Sequence, residues 1–381
     1  MDRMIYLDHA ATTPLDPRVA ARMQPFLAAD YGNEASAHFL GRRAHEAVAA
    51  ARAEVAALIG AAPAEIIFTG SGSESNNLAL KGVAFYHRLR QVHMVTTAIE
   101  HDAVRKAAQS LERLGVAITI VRVDGCGRVD PEDIRRALRP ETRLVSVMHA
   151  NNEVGTIQPA AAVGALVHAH SAAFHIDAVQ TAGLLPLDVN ALHCDLLTLS
   201  AHKLYGPKGV GALYVRRGTP LAPLLDGGPH EEGLRAGTLN VAGIVGLGAA
   251  AALVRAERDA RAAHARAVRD ALAAALAAAL PAARRSGHPA PTLPGHLHLQ
   301  TGLGPSRLLI AFLSERGIAA ASGSACTATI DKPSHVLTAM GVPDAVALSA
   351  LRLTTGEAVT LEDVPAVAAA LAEYAARPPR T

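Results

Sequence analysis

Short apolar runs alternate with amphipathic stretches between about residues 60 and 215. The apolar runs predict strands and the stretches between them predict helices. Because helices separate successive strands, we expect a sheet whose strands are mostly parallel. The predicted strands are 65–69, 93–98, 116–121, 143–149, 173–177, 195–199 and 210–215, and the predicted helices are 73–90, 102–114, 131–138 and 159–170.

The remainder of the chain is organised around an alanine-rich stretch, 240–280, which predicts one long or broken helix. Beyond it, short strands alternate with helices predicted at 305–315, 333–340 and 360–375. A chain of 381 residues is too long for one ordinary core. We therefore expect an α/β protein with a large domain over 15–255 and a smaller α/β domain formed by 1–14 and 256–381.

Composition narrows the classes of function. Apolar residues make up 50% of the chain but aromatic residues only 3%, so the core must consist of Ala, Val and Leu. The net charge of +2 arises from balanced acidic and basic residues, which makes nucleic acid a poor candidate partner. The uncharged stretch that could most suggest a membrane span, 239–254, is shorter than the roughly 20 residues that a span needs. With no secretory segment at the start and three cysteines that form no CxxC pair, a cytoplasmic protein is expected.

A lysine, Lys203, follows directly after the apolar run 196–199, together with Ser200 and His202. This peptide places a primary amine and two hydrogen-bonding side chains at one edge of the sheet. An aldehyde cofactor with a phosphate group requires such an arrangement, because the amine bonds to the aldehyde and the neighbouring side chains hold the phosphate. A solvated surface lysine is the alternative.

The predicted strand 173–177 ends in a carboxylate, Asp177. A carboxylate at a buried strand end needs a cation, and a protonated pyridine nitrogen is such a cation. Gln180, three residues further on, is placed to donate to the phenolate oxygen of the same ring. A helix N-cap is the alternative interpretation of Asp177.

A glycine-rich segment at 69–74 follows a predicted strand and opens a helix. Its glycines allow close backbone approach, and the helix N-terminus faces an anion favourably. The segment is therefore a reasonable cradle for a phosphate group. Taken alone, a segment of this kind is more often a helix-capping motif than a phosphate site.

Ordered motifs along nearly the whole chain resemble the cysteine desulfurases, enzymes that depend on pyridoxal phosphate and belong to the fold-type I, class-V aminotransferases. The motifs are YLDHAATTP at 6–14, YGNEASAH at 31–38, EIIFT at 65–69 with ESNN at 74–77, EH at 100–101, NNEVGTIQP at 151–159, RAGT at 235–238 and SGSACT at 322–327. The resemblance implies pyridoxal 5′-phosphate as cofactor and L-cysteine as substrate.

The resemblance also implies roles for individual residues. Gly72, Ser73, Ser200 and His202 would hold the phosphate, and Thr238 would complete the phosphate site of a second subunit, which implies a homodimer. His101 would stack on the cofactor ring and transfer protons, Asn152 would contact the ring and the substrate, and Arg352 would bind the substrate carboxylate. For His101 a structural or surface role is the alternative, and for Arg352 a salt bridge to a protein carboxylate.

Cys326 determines which reaction is expected. Its neighbours 322–325 and 327–329 are small residues, as a loop that carries a thiol into a cavity requires. A buried structural cysteine is the alternative. The resemblance implies that the Cys326 thiolate takes sulfur from L-cysteine as a persulfide, leaves L-alanine, and passes the sulfur to an acceptor such as an iron–sulfur scaffold. The spacing between Cys326 and Pro333 resembles the long-loop group.

Other features match no functional role. Cys126 and Cys194 correspond to no nucleophile of the family, and no metal site is expected, because the pairs His168/His170 and His296/His298 lack further ligands. Pro229 and Glu232 depart from the motif of the family, which bears on the preference for substrate or acceptor. The alternative functions are a selenocysteine lyase or another pyridoxal-phosphate-dependent C–S lyase, and a non-catalytic sulfur-relay or regulatory partner.

Overall fold

The computed structural model describes residues 4–323 and 332–377. Its strands are β1 (Ile5–Tyr6), β2 (Ile66–Thr69), β3 (His93–Thr97), β4 (Ala117–Val121), β5 (Thr142–Met148), β6 (Ala173–Asp177), β7 (Leu196–Ser200), β8 (Gly211–Val215), β9 (Arg284–Arg285), β10 (His296–Gln300), β11 (Ile318–Ala319) and β12 (Ala350–Thr354). Its helices are α1 (Pro17–Ala28), α2 (Phe39–Ile59), α3 (Gly72–Tyr86), α4 (Asp102–Arg113), α5 (Pro131–Ala137), α6 (Ala160–His168), α7 (Val241–Ala279), α8 (Ser306–Ser314), α9 (His335–Ala339), α10 (Asp344–Ala347) and α11 (Val364–Ala375).

The central sheet has seven strands in the order β2-β8-β7-β6-β5-β3-β4. Strands β3 to β7 are parallel, whereas β8 runs antiparallel to both of its neighbours, β7 and β2. The reversal occurs because β7 and β8 are joined by a short 3₁₀ turn and loop, which cannot make the long crossover that a parallel pair needs. The expectation of a mostly parallel sheet is confirmed.

The structure corrects the sequence analysis at two helices. The helix predicted over 73–90 ends at Tyr86, because Arg88 and Leu89 adopt left-handed backbone conformations with φ of 54° and 56°. Helix α2 was not predicted. Its buried residues Val48, Ala51 and Val55 recur at helical spacing, but the surrounding face is mostly alanine and carries a weak pattern.

Helix α7 is continuous and contacts two hydrophobic cores. Its first part, including Leu247 and Val254, packs in the core under the central sheet, where Gly248 lies so close to Ala51 that a Cβ would come within 2.6 Å of the Ala51 Cβ. Its second part, including Leu272 and Leu276, packs in a separate core with β10 and β12. The domain boundary near residue 255 stays a prediction, and these two cores are its physical basis.

Two small sheets complete the second core. Strand β10 lies antiparallel between β12 and β9, and β1 pairs in parallel with β11. The N-terminal strand therefore joins the C-terminal part of the chain, as the predicted small domain requires. Within the described ranges, none of the helices has the length and apolar character needed to cross a membrane.

Candidate active site

A cavity of about 260 Å³ lies where the carboxyl ends of β6 and β7 meet the N-terminus of α3. The structure brings most of the predicted site residues to this one cavity, which is lined by Gly72, Ser73, His101, Asn152, Asp177, Gln180, Ser200, His202, Lys203 and Arg352. Thr238 is exposed and does not line it. Cys326 lies outside the described residues.

Lys203 is positioned by a 3₁₀ turn, Ala201–Lys203, that follows β7. Its Nζ donates to the carbonyl of Ala11 at 2.6 Å and to the carbonyl of Ala10. Gly206 is needed behind the turn, because a Cβ there would lie 2.8 Å from the Ala201 carbonyl oxygen. The N-terminal segment thus holds the amine at the wall of the cavity, which is not the solvated position of an ordinary surface lysine.

Asp177 ends β6 and is 6% exposed. Its Oδ2 accepts a hydrogen bond from Asn76 Nδ2 at 2.7 Å, and its Oδ1 accepts one from the Val179 amide at 3.1 Å. No helix begins at Asp177, so the N-cap alternative is wrong. The carboxylate is held at the cavity wall, where it can pair with a cationic ring nitrogen.

The residue that sequence reasoning missed here is Asn76. It was recognised only as part of a motif, although it lies on the buried face of α3. Its side chain is 1% exposed, and within the described residues its Oδ1 has no hydrogen-bond partner. The signal available in the sequence was a polar residue at a core-facing helical position.

The N-terminus of α3 lines the cavity with Ser71, Gly72 and Ser73, and its free amides could hold an anion there; we call this segment the anion cradle. Ser71 caps the helix by accepting from the Glu74 amide at 3.1 Å, so the capping interpretation is correct for this residue. Gly72, the next residue, packs closely against the segment after β6 and the end of β7, since a Cβ there would lie 3.0 Å from Val179 Cγ2 and 3.2 Å from Ser200 Cβ. The capping interpretation is therefore confirmed at Ser71, while a phosphate role for Gly72 and Ser73 stays a prediction.

His202 lines the same cavity. Its Nδ1 is 3.1 Å from Thr12 Oγ1. Burial, with the nearby charges of Lys203 and Lys208, lowers the pKa of His202 to about 4. The ring is therefore neutral near pH 7, and it can supply a hydrogen bond to an anion but not a positive charge.

His101 is the N-cap of α4 and lies four residues beyond the end of β3. Its Nδ1 accepts from the Ala103 amide at 3.1 Å, so the neutral ring carries its proton on Nε2. The preceding residue, Glu100, is fully buried and accepts from Thr97 Oγ1 at 2.6 Å and the Met148 amide at 3.0 Å. Burial raises the pKa of Glu100 to about 8.

Arg352 lies on β12 and is 1% exposed. Its Nη2 is 2.7 Å from Asp8 Oδ1, and its Nη1 donates to the Asn152 carbonyl at 2.9 Å. The salt bridge named as the alternative is therefore present, while the guanidinium also lines the cavity. Gln180 Nε2 likewise has a protein partner, the Ala10 carbonyl at 3.0 Å.

The remaining predicted features lie elsewhere. Cys194 is buried, and burial raises the pKa of its thiol to about 12. His296 and His298 are buried on β10, where burial lowers the pKa of each to about 3. Within residues 4–323 and 332–377, no three His, Cys, Asp or Glu side chains are grouped as metal ligands would be.

Comparison with known proteins agrees with this geometry. The family model of the class-V aminotransferases matches residues 5–367. A protein of Anaeromyxobacter dehalogenans (strain 2CP-C) named cysteine desulfurase IscS is 47% identical over 363 residues, which is 94% of this chain and 89% of that protein.

Solved structures show the same relationship. A NifS-like protein superposes with a TM-score of 0.91 at 37% identity, covering 97% of this chain and 99% of the other. The structure of SspA in complex with cysteine superposes with a TM-score of 0.83 at 36% identity, covering 92% and 99%. Class-V aminotransferases and cysteine desulfurases depend on pyridoxal phosphate. From the match along nearly its whole length, the chain belongs to the class-V aminotransferase family and, within that family, to the cysteine desulfurases.

Proposed function

We propose that this protein converts L-cysteine to L-alanine and takes the sulfur onto Cys326 as a persulfide. The observation that carries the proposal is the cavity that Lys203, Asp177 and Arg352 share. An amine, a buried carboxylate and a guanidinium are the groups that an aldehyde cofactor with a pyridine ring and an amino-acid substrate require.

The residues present fit pyridoxal 5′-phosphate. Lys203 would bond to its aldehyde, and Asp177 would pair with its ring nitrogen. The phosphate would lie in the cradle described above, while His101, Asn152 and Gln180 would contact the ring. When bound, the cofactor supplies an electron sink for the bonds at the substrate α-carbon.

The residues of the chain perform the other tasks. Arg352 orients the substrate by its carboxylate, and the Lys203 amine moves protons at the α-carbon. The Cys326 thiolate attacks the substrate sulfur, so that an S–S bond forms and the C–S bond breaks with its electron pair left on carbon. Proton uptake at carbon then gives L-alanine, and the enzyme cysteine carries the extra sulfur.

Cys326 itself lies outside the described residues, but the chain that leads to it does not. The backbone of Ala321 exchanges hydrogen bonds with that of Arg352, the Arg352 amide donating at 2.6 Å and the Ala321 amide at 3.2 Å. Cys326 follows five positions later in the sequence. This attachment of the approaching chain to Arg352 supports a role for Cys326 near the substrate.

Two further parts of the proposal concern partners. Thr238 is exposed and lies away from the cavity of its own chain, which supports a homodimer in which it reaches the phosphate site of the second subunit. The persulfide would pass to a sulfur-acceptor protein such as an iron–sulfur scaffold, within the cytoplasm. Two measurements test the homodimer. Sedimentation should give the mass of a dimer, and Thr238→Val should bind pyridoxal phosphate more weakly than the wild type.

The central test uses the protein loaded with pyridoxal phosphate and incubated with L-cysteine in the absence of reductant. Intact mass should show the gain of one sulfur atom, peptide mapping should place it on Cys326, and L-alanine should form. Cys326→Ser should abolish the adduct, whereas Cys126→Ser should retain it. Pyruvate without alanine, or alanine with full sulfur release from Cys326→Ser, would contradict the proposal.

A further inference from the structure

On one edge of the Arg352 guanidinium, only one of the two nitrogens has a hydrogen-bond partner in the described chain. Nε and Nη2 form the edge that a carboxylate bridges with two parallel hydrogen bonds. Asp8 Oδ1 occupies Nη2 at 2.7 Å, and within the described chain Nε is buried without a hydrogen-bond partner. Nη1, on the other side, is taken by the Asn152 carbonyl. A buried N–H without a partner is costly, and a two-oxygen ligand on this edge would remove the cost.

The charged groups around Arg352 also indicate that an incoming carboxylate must compete with Asp8. Its cross-strand neighbour is His298, and both His298 and His296 are neutral because burial lowers their pKa values to about 3. Asp8 is thus the anion that compensates Arg352 within the described residues. A carboxylate that enters the cavity therefore meets the ion pair of Arg352 with Asp8, whose net charge is zero, and not an uncompensated guanidinium.

The two partners differ in their access to water. The side chain of Asp8 is 20% exposed and that of Arg352 only 1%. Asp8 can therefore recover hydration when its contact with Nη2 is broken, whereas Arg352 needs a replacement anion. Exchange of one carboxylate for another is the process that this asymmetry favours.

We infer that Asp8 is an internal competitor for the Nε and Nη2 edge of Arg352, so that a substrate carboxylate binds by displacing it and Asp8 sets the affinity of the cavity for carboxylates. The inference rests on the proposed role of Arg352 and deepens it. Asp8 keeps the affinity for carboxylates moderate, which favours release of an amino-acid product as well as entry of the substrate.

The test is Asp8→Asn, which retains an oxygen acceptor for Nη2 but removes the competing charge. Calorimetry on the cofactor-loaded protein should show propanoate binding about tenfold tighter than in the wild type, because the ligand no longer displaces an anion. Propanamide, which has the same shape without the charge, should bind equally to both. Asp133→Asn, which removes an exposed charge on α5, should behave as the wild type.

Turnover supplies a second readout. Asp8→Asn should lower KM for L-cysteine and strengthen inhibition by L-alanine, while kcat does not rise. Asp8→Ala, which removes the competitor altogether, should change propanoate binding in the same direction, and circular dichroism checks the fold of each variant. The double variant with Arg352→Gln should lose the gain.

Propanoate binding that is unchanged or weaker in both Asp8 variants, or a gain that propanamide shares, would overturn the inference. The binding test needs no sulfur transfer. A tighter Asp8→Asn variant in a protein that forms no persulfide would therefore sustain the inference while the proposed function fails, and the reverse result would do the opposite.

Discussion

Asn76 donates from Nδ2 to Asp177 Oδ2 at 2.7 Å, and this bond connects helix α3 to the end of strand β6. The helix that carries the anion cradle and the strand that carries the carboxylate are thereby held in one arrangement. A cofactor with a phosphate at one end and a ring nitrogen at the other needs a constant distance between these two groups. The hydrogen bond between Asn76 and Asp177 links the helix and the strand directly through their side chains.

Asn76→Ala should therefore weaken both the fold and the binding of pyridoxal phosphate. It leaves one oxygen of a buried carboxylate without its donor, which costs about 1–3 kcal/mol in the free energy of unfolding. The neighbouring Asn77 is half-buried, makes no hydrogen bond with Asp177 and donates to the Ser73 carbonyl at 2.9 Å, so Asn77→Ala is the matched control. Denaturant unfolding and absorbance titration with the cofactor measure the two effects. Equal losses in both variants would contradict the assigned role.

Gly72→Ala should reduce cofactor affinity. The added Cβ would lie 3.0 Å from Val179 Cγ2 and 3.2 Å from Ser200 Cβ, so the cradle must widen. Overpacking of this kind costs about 1–3 kcal/mol, which corresponds to a loss of affinity of about 5- to 150-fold. At Gly125 a Cβ would meet only the Met340 carbonyl oxygen at 3.9 Å, and Gly125→Ala should bind the cofactor normally. The prediction is wrong if Gly72→Ala binds the cofactor with the affinity of the wild type.

Glu100 should make stability depend on pH. Burial raises its pKa from 4.5 in the unfolded chain to about 8 in the folded protein. Between these values the folded state keeps a proton that the unfolded state releases, so this group contributes less stability as pH rises, by about 1.4 kcal/mol per pH unit. Glu100→Gln, which does not ionise, should remove that contribution.

The measurement compares urea unfolding of both proteins at about pH 5 and about pH 8. The stability of Glu100→Gln relative to the wild type should increase with pH, and all other titrating groups cancel in this difference. Glu112→Gln, on the exposed face of α4, should show no such trend. A difference between Glu100→Gln and the wild type that stays constant with pH would show that Glu100 is not protonated in the folded protein.

Glu231→Ala should destabilise the protein strongly. The Glu231 side chain is 1% exposed and binds Arg52 Nη2 at 2.6 Å and the Phe68 amide at 2.6 Å. Breaking a buried pair by removing one partner costs about 3–5 kcal/mol. The neighbouring Glu232 is exposed and has a similar left-handed backbone, with φ of 57° against 48°, so Glu232→Ala controls for the backbone. Chemical denaturation should separate the two variants clearly, and similar midpoints would refute the prediction.

Some features were predictable because they depend on local sequence. Strands β2 to β8 were predicted to within a residue or two, because each is a short apolar run bounded by turn residues. Lys203, Asp177 and Gly72 were recognised because each lies at the end of a strand or shortly after it, and the ends of parallel strands gather at one edge of a sheet.

Other features depended on residues far apart in the chain. The alanine face of α2 gave a weak pattern, and its helix is stabilised by close packing against Gly248 of α7. The pairing of Arg352 with Asp8 joins residues 344 positions apart, so no local pattern could show whether the arginine had a protein partner.

The sequence by itself determined the mostly parallel α/β fold, the amine and the carboxylate of the site, and the family to which the chain belongs. Periodicity and strand ends are local properties, and motifs are read directly from residue identities. The tertiary structure decided the partners of those groups: Asn76 for Asp177, the Ala11 carbonyl for Lys203, and Asp8 for Arg352. Partners depend on side-chain positions in three dimensions, which arise only when separate elements pack together.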